Sequence, residues 1–429
     1  MKELLMAHAK EERVLTEQQH GFVPMKSCVT NLLLARESWL RNKEDGCATD
    51  VVYVDFSKAF DRVEHAQLLR MLDCYHFPPH LIAWIADFLA LRKFQVRVNG
   101  VLSEKRHILS GVPQGSVLGP ILFCFYVNQL PRLLSSSCLL FADDLKIWRA
   151  TRTDEDSTTL QNDVDVLVRS AAQLQLPINV DKCQHLHIGA ASATTYTLNG
   201  SVIRSDNVVR DLGVLVRSDF KTCSHTDLAT SRGLRLLWAL RRAFTLWTIN
   251  TVPKLVNTFI RPVMEFGAPA YFPSTKRECF QLERVQRLAT RMIPDLRYVT
   301  YIERCVATGM FTLEYRRTRM DLITIFKAVC LDKLPSLKSI FQPSKVVHTR
   351  GHQFKLDRQR IIRTPDVYSL PGRAVSLWNN LPKHVVDAPS VDAFKDRLDQ
   401  YLWNSSSPWK RDPIAGEAYP RSPLPPHLQ

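Results

Sequence analysis

The chain holds ten cysteines but no C-x-x-C pair, and they are scattered from Cys28 to Cys330. That spacing excludes a disulfide framework and reads as reduced, intracellular thiols. No uninterrupted apolar run approaches the roughly 20 residues a helix needs to cross a bilayer, so no membrane partner is expected. The opening MKELLMAHAKEERVL is amphipathic and charged, unlike the apolar core of a signal peptide. Glycine is scarce, at 15 of 429 residues, and 45% of the chain is hydrophobic, enough to bury two or three cores and to exclude wholesale disorder. There is no internal repeat. Cys183, His185 and His187 alternate as zinc ligands could, but no second pair follows at zinc-site spacing, and the pattern reads as a strand with mixed faces.

Charge of one sign is in excess. Fifty-seven Lys and Arg against 42 Asp and Glu leave a formal charge of +15, which favours a polyanionic partner because each neutralised phosphate releases counterions. A soluble protein without such a partner can carry the same charge, so the motifs must decide. No basic cluster chooses between nucleus and cytoplasm.

Residues 2–18 and 27–41 have helical spacing of apolar groups, separated by Gly21 and Pro24. Asp50–Phe56 (DVVYVDF) is a β-branched run suited to a buried strand that ends in a carboxylate. Helices are expected over Glu64–Cys74 and Pro79–Leu91, with a proline pair between them that stops the first and starts the second. Residues 93–109 alternate like a hairpin about Asn99-Gly100. The loop GVPQGSVLGP runs into an expected helix, Ile121–Leu130, and CLLFADDLKIW suggests a strand pair with Asp-Asp at its turn. Residues 155–175 look helical, Cys183–Ile188 and Val208–Val216 look like strands, and the pattern from Thr226 is almost entirely helical. Ser405–Gln429 is rich in Pro and Ser and is expected to be a flexible tail.

Asp55 and the pair Asp143-Asp144 each follow strand-like apolar residues, where an uncompensated buried charge is costly. Carboxylates meeting at strand ends beside a cleft repel one another, and a divalent cation relieves that repulsion. Mg²⁺ suits such a place because it prefers a few carboxylates, waters and substrate phosphates to a closed protein cage. Two such ions would serve an in-line nucleotide transfer. A lone Asp-Asp is ordinarily a polar turn, but here it is bracketed by Phe141 and Leu145 and follows two further segments in fixed order.

Those segments, VVYVDFSKAFDRVEH, SGVPQGSVLGPILF and LLFADDLKIW, resemble the successive catalytic motifs of reverse transcriptases of non-LTR retrotransposons, in particular jockey- and CR1-like elements. QHGFVPMKSCVTNLLL is similar to the family's segment just upstream, LPINVDKCQHLHIG to its asparagine and lysine motif, and VVRDLGV to the strand motif that follows. The resemblance implies that Asp55, Asp143 and Asp144 bind two Mg²⁺ ions (or Mn²⁺), with Asp143 the more direct ligand of the last two. It implies that Phe60 is the aromatic gate against a ribose 2′-hydroxyl, core packing being its other reading. Gln114 would line the incoming deoxynucleoside triphosphate, Gly111 and Gly115 would let the substrate approach the backbone, and Lys182 would face the departing pyrophosphate or else be a solvated lysine. Asp61 reads as a helix cap. In TSRGLRLLWALRR, similar to a thumb helix, Arg232, Arg235, Arg241 and Arg242 are candidate contacts to an RNA template and DNA primer, or a solvated face. GRAVSLWNNLPKHVVDAPSVDAFKDRL resembles the family's carboxy-terminal region, and its Trp378 reads as core.

The implied fold is α+β: an antiparallel palm sheet backed by helices at 50–218, truncated fingers helices at 1–49, a thumb-like helical region at 219–300, a helical carboxy-terminal region at 301–404 and the tail at 405–429. The family's full protein usually begins with an endonuclease, an RNA-binding extension and an arginine-bearing finger segment, and these are expected to be absent from this chain. Without the triphosphate clamp of the fingers, several kcal/mol of catalysis would be lost. The implied activity is RNA-directed DNA polymerase. The competing reading is a catalytically weak retroelement remnant that binds RNA or DNA, and generic helical scaffolding leaves the three ordered motifs unexplained. The sequence is silent on oligomeric state.

Overall fold

The structure is a computed structural model and describes residues 1–189, 194–345, 351–358 and 366–403. The expected tail, Ser405–Gln429, lies outside the described residues. The chain divides into two compact units, one of residues 1–31 and 45–207 and the other of residues 32–44 and 208–429. Among the described residues, no helix is long and apolar enough to cross a membrane.

The first unit begins with α1 (Lys2–Glu11), shorter than the periodicity of residues 2–18 suggests. Arg13 takes a left-handed φ of 50° and the Val14 N–H returns to the Ala9 carbonyl at 2.9 Å, closing the helix by satisfying one of its terminal carbonyls. The buried Asn128 then fixes the chain that follows, donating to the Val14 carbonyl at 2.6 Å and accepting from the Thr16 N–H at 2.9 Å. Helix α2 (Cys28–Glu44) follows, shared between the two units, then strand β1 (Ala48–Val54). Helix α3 (His65–Cys74) is capped by Glu64, whose carboxylate accepts from the Ala66 and Gln67 N–H groups. The proline pair starts α4 (Pro79–Leu89) but does not end α3. His76, at φ 57°, ends it instead, with the Phe77 N–H on the Leu72 carbonyl at 3.1 Å.

Strands β2 (Lys93–Phe94), β3 (Arg97–Val98), β4 (Val101–Leu102) and β5 (Arg106–His107) form the expected hairpin. Its tip, Asn99-Gly100, has positive φ at both residues, the geometry that matches the twist of paired strands. Helix α5 (Gly119–Val127) precedes the hairpin of β6 (Ser137–Phe141) and β7 (Asp144–Thr151). Helix α6 (Asp154–Gln173) carries a Thr153–Asp156 capping box, and β8 (Gln184–Ile188) follows. Short strands β9 (Thr197–Leu198) and β10 (Ser201–Val202) pair with each other, and β11 (Arg204–Ser205) joins the main sheet.

That sheet has the order β11-β8-β1-β7-β6, antiparallel except where the two-residue β11 lies parallel to β8. The expected antiparallel sheet backed by helices is thus observed, with this small parallel edge. Strand β1 is central, which explains its near-continuous apolar run: a strand covered on both faces has no place for alternation. Val52 and Val54 of β1 pack with Leu68, Leu72, Ile85, Leu122, Phe125, Leu160 and Leu167 in one buried cluster.

Of the Cys183, His185, His187 alternation, the two histidines lie on β8 as expected of a strand, and Cys183 immediately precedes it. His185 Nε2 and His187 Nδ1 lie 3.0 and 2.6 Å from one oxygen of the buried Asp50, and the Tyr196 hydroxyl donates to the other at 2.7 Å. Burial alone would raise the Asp50 carboxyl, but these three hydrogen bonds outweigh it and hold the group below its ordinary value.

In the second unit, residues 208–217 form a hairpin rather than the single strand expected over Val208–Val216. Strands β12 (Val208–Asp211) and β13 (Val214–Arg217) turn through Leu212 and Gly213, both at positive φ. Leucine at the first of these positions hides the turn from a reading that looks for Asn or Gly. Helix α7 (Cys223–Ala243) packs closely through Gly233, where an added Cβ would stand 2.5 Å from the Met264 sulfur. Its core continues past residue 300, since Leu237, Val256, Val285, Leu296, Met310 and Leu313 belong to one cluster. Trp378 is fully buried and donates to the Phe354 carbonyl at 2.8 Å, the core role expected of it.

Asn128→Ala removes both clamps on the α1 exit and strands the Thr16 N–H. It is expected to lower the melting temperature of the unfolding transition that includes the first unit by about 4–8 °C, read by calorimetry; an unchanged transition would refute the clamp.

Candidate active site

Four of the residues singled out in the sequence, Asp55, Asp143, Asp144 and Lys182, meet at one end of the main sheet. The register pairs Val54 with Leu145, so Asp55, the next residue after β1, arrives at the tip of the β6–β7 hairpin. That tip is Ala142-Asp143, between the paired Phe141 and Asp144. Asp143 is half-buried and Asp144 exposed. Burial raises the Asp143 carboxyl, its own backbone N–H lowers it in part, and the charge of Asp55 raises it further. The two side chains are therefore close enough to repel. Asp55 Oδ1 is buried and has no hydrogen-bond partner.

The segment carrying Lys182 runs alongside. Phe56 bridges Ile178, the Asn179 N–H donates to the Asp55 carbonyl at 2.8 Å, and a short 3-10 turn over Val180–Lys182 follows. Lys182 Nζ ends 3.6 Å from Asp55 Oδ1, with its side chain 64% exposed. At that length the pair is an ion pair without a hydrogen bond, which is why the same oxygen is orphaned. An exposed pair of this kind adds little stability, so Lys182 remains free to meet an incoming anion.

Phe60 does two things at once. It is half-buried, stacked on Phe123 with ring centroids 4.4 Å apart, and its carbonyl accepts from the Val112 N–H at 2.9 Å. The glycine-rich loop is thereby tied to the turn after β1. Gly111, at φ +83°, closes the same contact, since an added Cβ would lie 2.7 Å from the Asp61 Cα. Its carbonyl accepts from Arg92 and lies 2.8 Å from His65 Nε2. Gly111 thus spends its freedom on the protein's own backbone, whereas Gly115, at φ +78° with nothing within 4 Å of an added Cβ, faces open space. Gln114 is exposed, and its Nε2 donates to Asp61 Oδ1 at 2.9 Å.

That bond corrects one expectation. Asp61 does not cap α3, because Glu64 does; Asp61 holds Gln114. The helix begins three residues later than a cap at Asp61 requires, so a cap-like residue type was matched to the wrong start. No sequence signal distinguishes the two acids, and the partnership of His65 and Arg92 with Gly111 was equally hidden.

The four arginines lie in the second unit. On α7, Arg235, Arg241 and Arg242 are exposed and Arg232 is half-buried. Trp238 is 51% exposed on the same helix, and the Arg241 guanidinium sits 5.2 Å from the Trp247 ring centroid. Guanidinium groups alternating with an exposed indole are the side-chain chemistry that grips phosphates and stacks bases.

A divalent cation fits the Asp55–Asp143 pair, because Asp55 Oδ1 has no hydrogen-bond donor, its cationic neighbour, Lys182, is largely exposed, and the second carboxylate beside it has a raised affinity for protons. Among the described residues, no three His, Cys, Asp or Glu side chains are gathered into a ready-made cage. The fit rests on two carboxylates and leaves other positions to water or substrate, as Mg²⁺ prefers.

The antiparallel sheet backed by helices and the order of the segments along it are those of a polymerase-type palm. The chain belongs to the reverse transcriptase (RNA-dependent DNA polymerase) family, whose profile matches residues 1–219. It is similar to the RNA-directed DNA polymerase from mobile element jockey of Drosophila melanogaster, 26% identical over 290 residues, which are 64% of this chain and 31% of that protein. It is also similar to the probable RNA-directed DNA polymerase from transposon BS of Drosophila melanogaster, 25% identical over 309 residues, 67% of this chain and 33% of that protein. The chain spans about a third of the length of these relatives. Among solved structures, telomerase from Candida Tropicalis bound to a fragment of telomeric RNA is a loose likeness, with 10% identity and a TM-score of 0.40 over 79% of this chain and 56% of that one.

Because the folded Asp143 carboxyl binds its proton more tightly than the unfolded one, stability falls as pH rises through the acidic range toward the raised value. Above that value the penalty is complete. Asp143→Asn is therefore expected to raise the melting temperature by on the order of 2 °C at pH 7 without divalent ions, and the gain should vanish near pH 3. Calorimetry at both pH values checks this; a lower melting temperature at pH 7 would contradict the sign.

Proposed function

We propose that this chain is the polymerase part of the RNA-directed DNA polymerase of a non-LTR retrotransposon, extending a DNA primer 3′-end along an RNA template with deoxynucleoside triphosphates. The observation that carries the reading is the Asp55–Asp143 pair: a carboxylate oxygen with no hydrogen-bond donor beside a carboxyl whose proton affinity burial and the Asp55 charge raise, at a strand end, in a chain of this family.

Asp55 and Asp143 would hold two Mg²⁺ ions, or Mn²⁺, with Asp144 at the margin of the site. When bound, the ions supply activation of the attacking 3′-hydroxyl and neutralise charge on the leaving pyrophosphate. The chain's own groups do the rest. Lys182 brings an exposed positive charge to the side of Asp55 where the pyrophosphate would leave. Phe60, held by Phe123, presents a fixed ring edge to the sugar and excludes a 2′-hydroxyl. Gln114, restrained by Asp61, flanks the nucleotide, and the open backbone at Gly115 admits it. Arg232, Arg235, Arg241 and Arg242, with Trp238, would contact the template and primer from a thumb-like region at 219–300, the palm being 50–218 and residues 301–404 a helical extension. The family's dependence on divalent metal suits a site built on carboxylate repulsion.

Primer extension on poly(rA)·oligo(dT) with dTTP and Mg²⁺ tests the proposal. Incorporation is expected, falling by on the order of 10³-fold in Asp143→Ala and abolished by EDTA. Retained nucleic-acid binding with no incorporation by the unaltered chain would defeat it.

A further inference from the structure

The hairpin tip that carries Asp143 is held in an unfavourable conformation, and the segment just ahead of α2 holds it there. Ala142 has a φ of 58°, a left-handed conformation that costs a residue with a Cβ roughly 1–2 kcal/mol. Something outside the turn must stabilise it. The buried Gln19 does so with one atom: its Oε1 accepts from the Ala142 N–H at 3.1 Å and from the Gly21 N–H at 2.8 Å. The backbone on either side is locked to the last residues of β6. The Leu140 N–H donates to the Gln18 carbonyl at 2.9 Å and the His20 N–H to the Leu140 carbonyl at 2.8 Å, while Asn31 Nδ2 donates to that same carbonyl at 3.1 Å.

Gly21 fits the other side of the turn. A Cβ there would stand 2.4 Å from the Ala142 nitrogen and 3.0 Å from the Phe141 carbonyl carbon, so only glycine allows the two backbones to touch. The Gly21 carbonyl is itself held by the Cys124 thiol at 3.3 Å. Burial, with the negative charge of Asp143, pushes that thiol up to about 12, which keeps it protonated and able to donate.

The chemistry of Gln19 is telling. Its Nε2 is buried with no partner, a loss that costs about 1–3 kcal/mol. An apolar side chain of similar length would avoid that cost but would strand the Ala142 and Gly21 N–H groups. What only the amide oxygen provides is an acceptor for two backbone N–H groups, one of them next to Asp143.

We infer that Gln19, with Gly21, is a positioning residue that fixes the Ala142 turn and so sets Asp143 against Asp55. The inference rests on the polymerase reading for its catalytic consequence, but not for its structural one. The test compares Gln19→Met and Gly21→Ala with the unaltered full chain by hydrogen–deuterium exchange of the peptide spanning residues 140–145, Mn²⁺ titration by electron paramagnetic resonance, and primer extension. In Gln19→Met, turn exchange should quicken about tenfold for the lost hydrogen bond to the Ala142 N–H, one of the two Gln19 accepts. The Mn²⁺ dissociation constant should rise several-fold, and kcat should fall about tenfold with KM for dTTP within about twofold. Gly21→Ala, which pushes on the same turn sterically, should match or exceed each change, with exchange elsewhere in the first unit unaltered. Unchanged turn exchange and Mn²⁺ affinity in both variants would overturn the inference, as would a loosened turn with kcat intact. If the unaltered chain binds Mn²⁺ but extends no primer, the polymerase reading fails, while exchange and Mn²⁺ affinity still decide the role of Gln19.

Discussion

Two carboxylates facing each other at the end of a sheet set the terms for the rest of the first unit. Asp55 and Asp143 repel, and burial of Asp143 sharpens the repulsion. A fold can keep such a pair only if the surrounding structure over-determines it. Here the determinants are a central strand with both faces covered, a hairpin pinned by its pairing with that strand, and an upstream segment hydrogen-bonded to the hairpin tip. The pair is thus a strained feature bought with packing elsewhere, and a divalent ion is the ligand that would relieve it.

The same economy links the remaining groups. Phe60 and Gly111 join the turn after β1 to the glycine-rich loop, and Asp61 steadies Gln114 in that loop. Lys182 arrives because residues 177–179 run beside 55–57. Phe60, Gly111, Gln114 and Lys182 are thus tied to the segment that leaves β1, residues 55–61.

Much of this was legible in the sequence where local rules and burial agree. The apolar run 50–56, the Asn99-Gly100 turn and the Asp-Asp hairpin each have a chemical cause acting within a few residues. Legibility failed where the cause lies far along the chain. Arg13 and His76 end helices in left-handed conformations that their residue types do not advertise, and Leu212 hides a turn in an otherwise strand-like run. Asp61 and Glu64 are alike as potential caps, and only the three-dimensional position of Gln114 separates them. Gln19 sits 123 residues from the turn it holds, so no window of sequence contains both partners.

The central claim is that Asp55 and Asp143 form one electrostatic unit completed by a divalent cation. Carbon-13 NMR of the aspartate carboxyls, with Asp143 assigned by its loss in Asp143→Asn, tests it most directly. The account predicts an Asp143 midpoint above the ordinary carboxyl range without divalent ions, lowered both by Asp55→Asn and by saturating Mg²⁺. A midpoint that neither change moves would contradict the account.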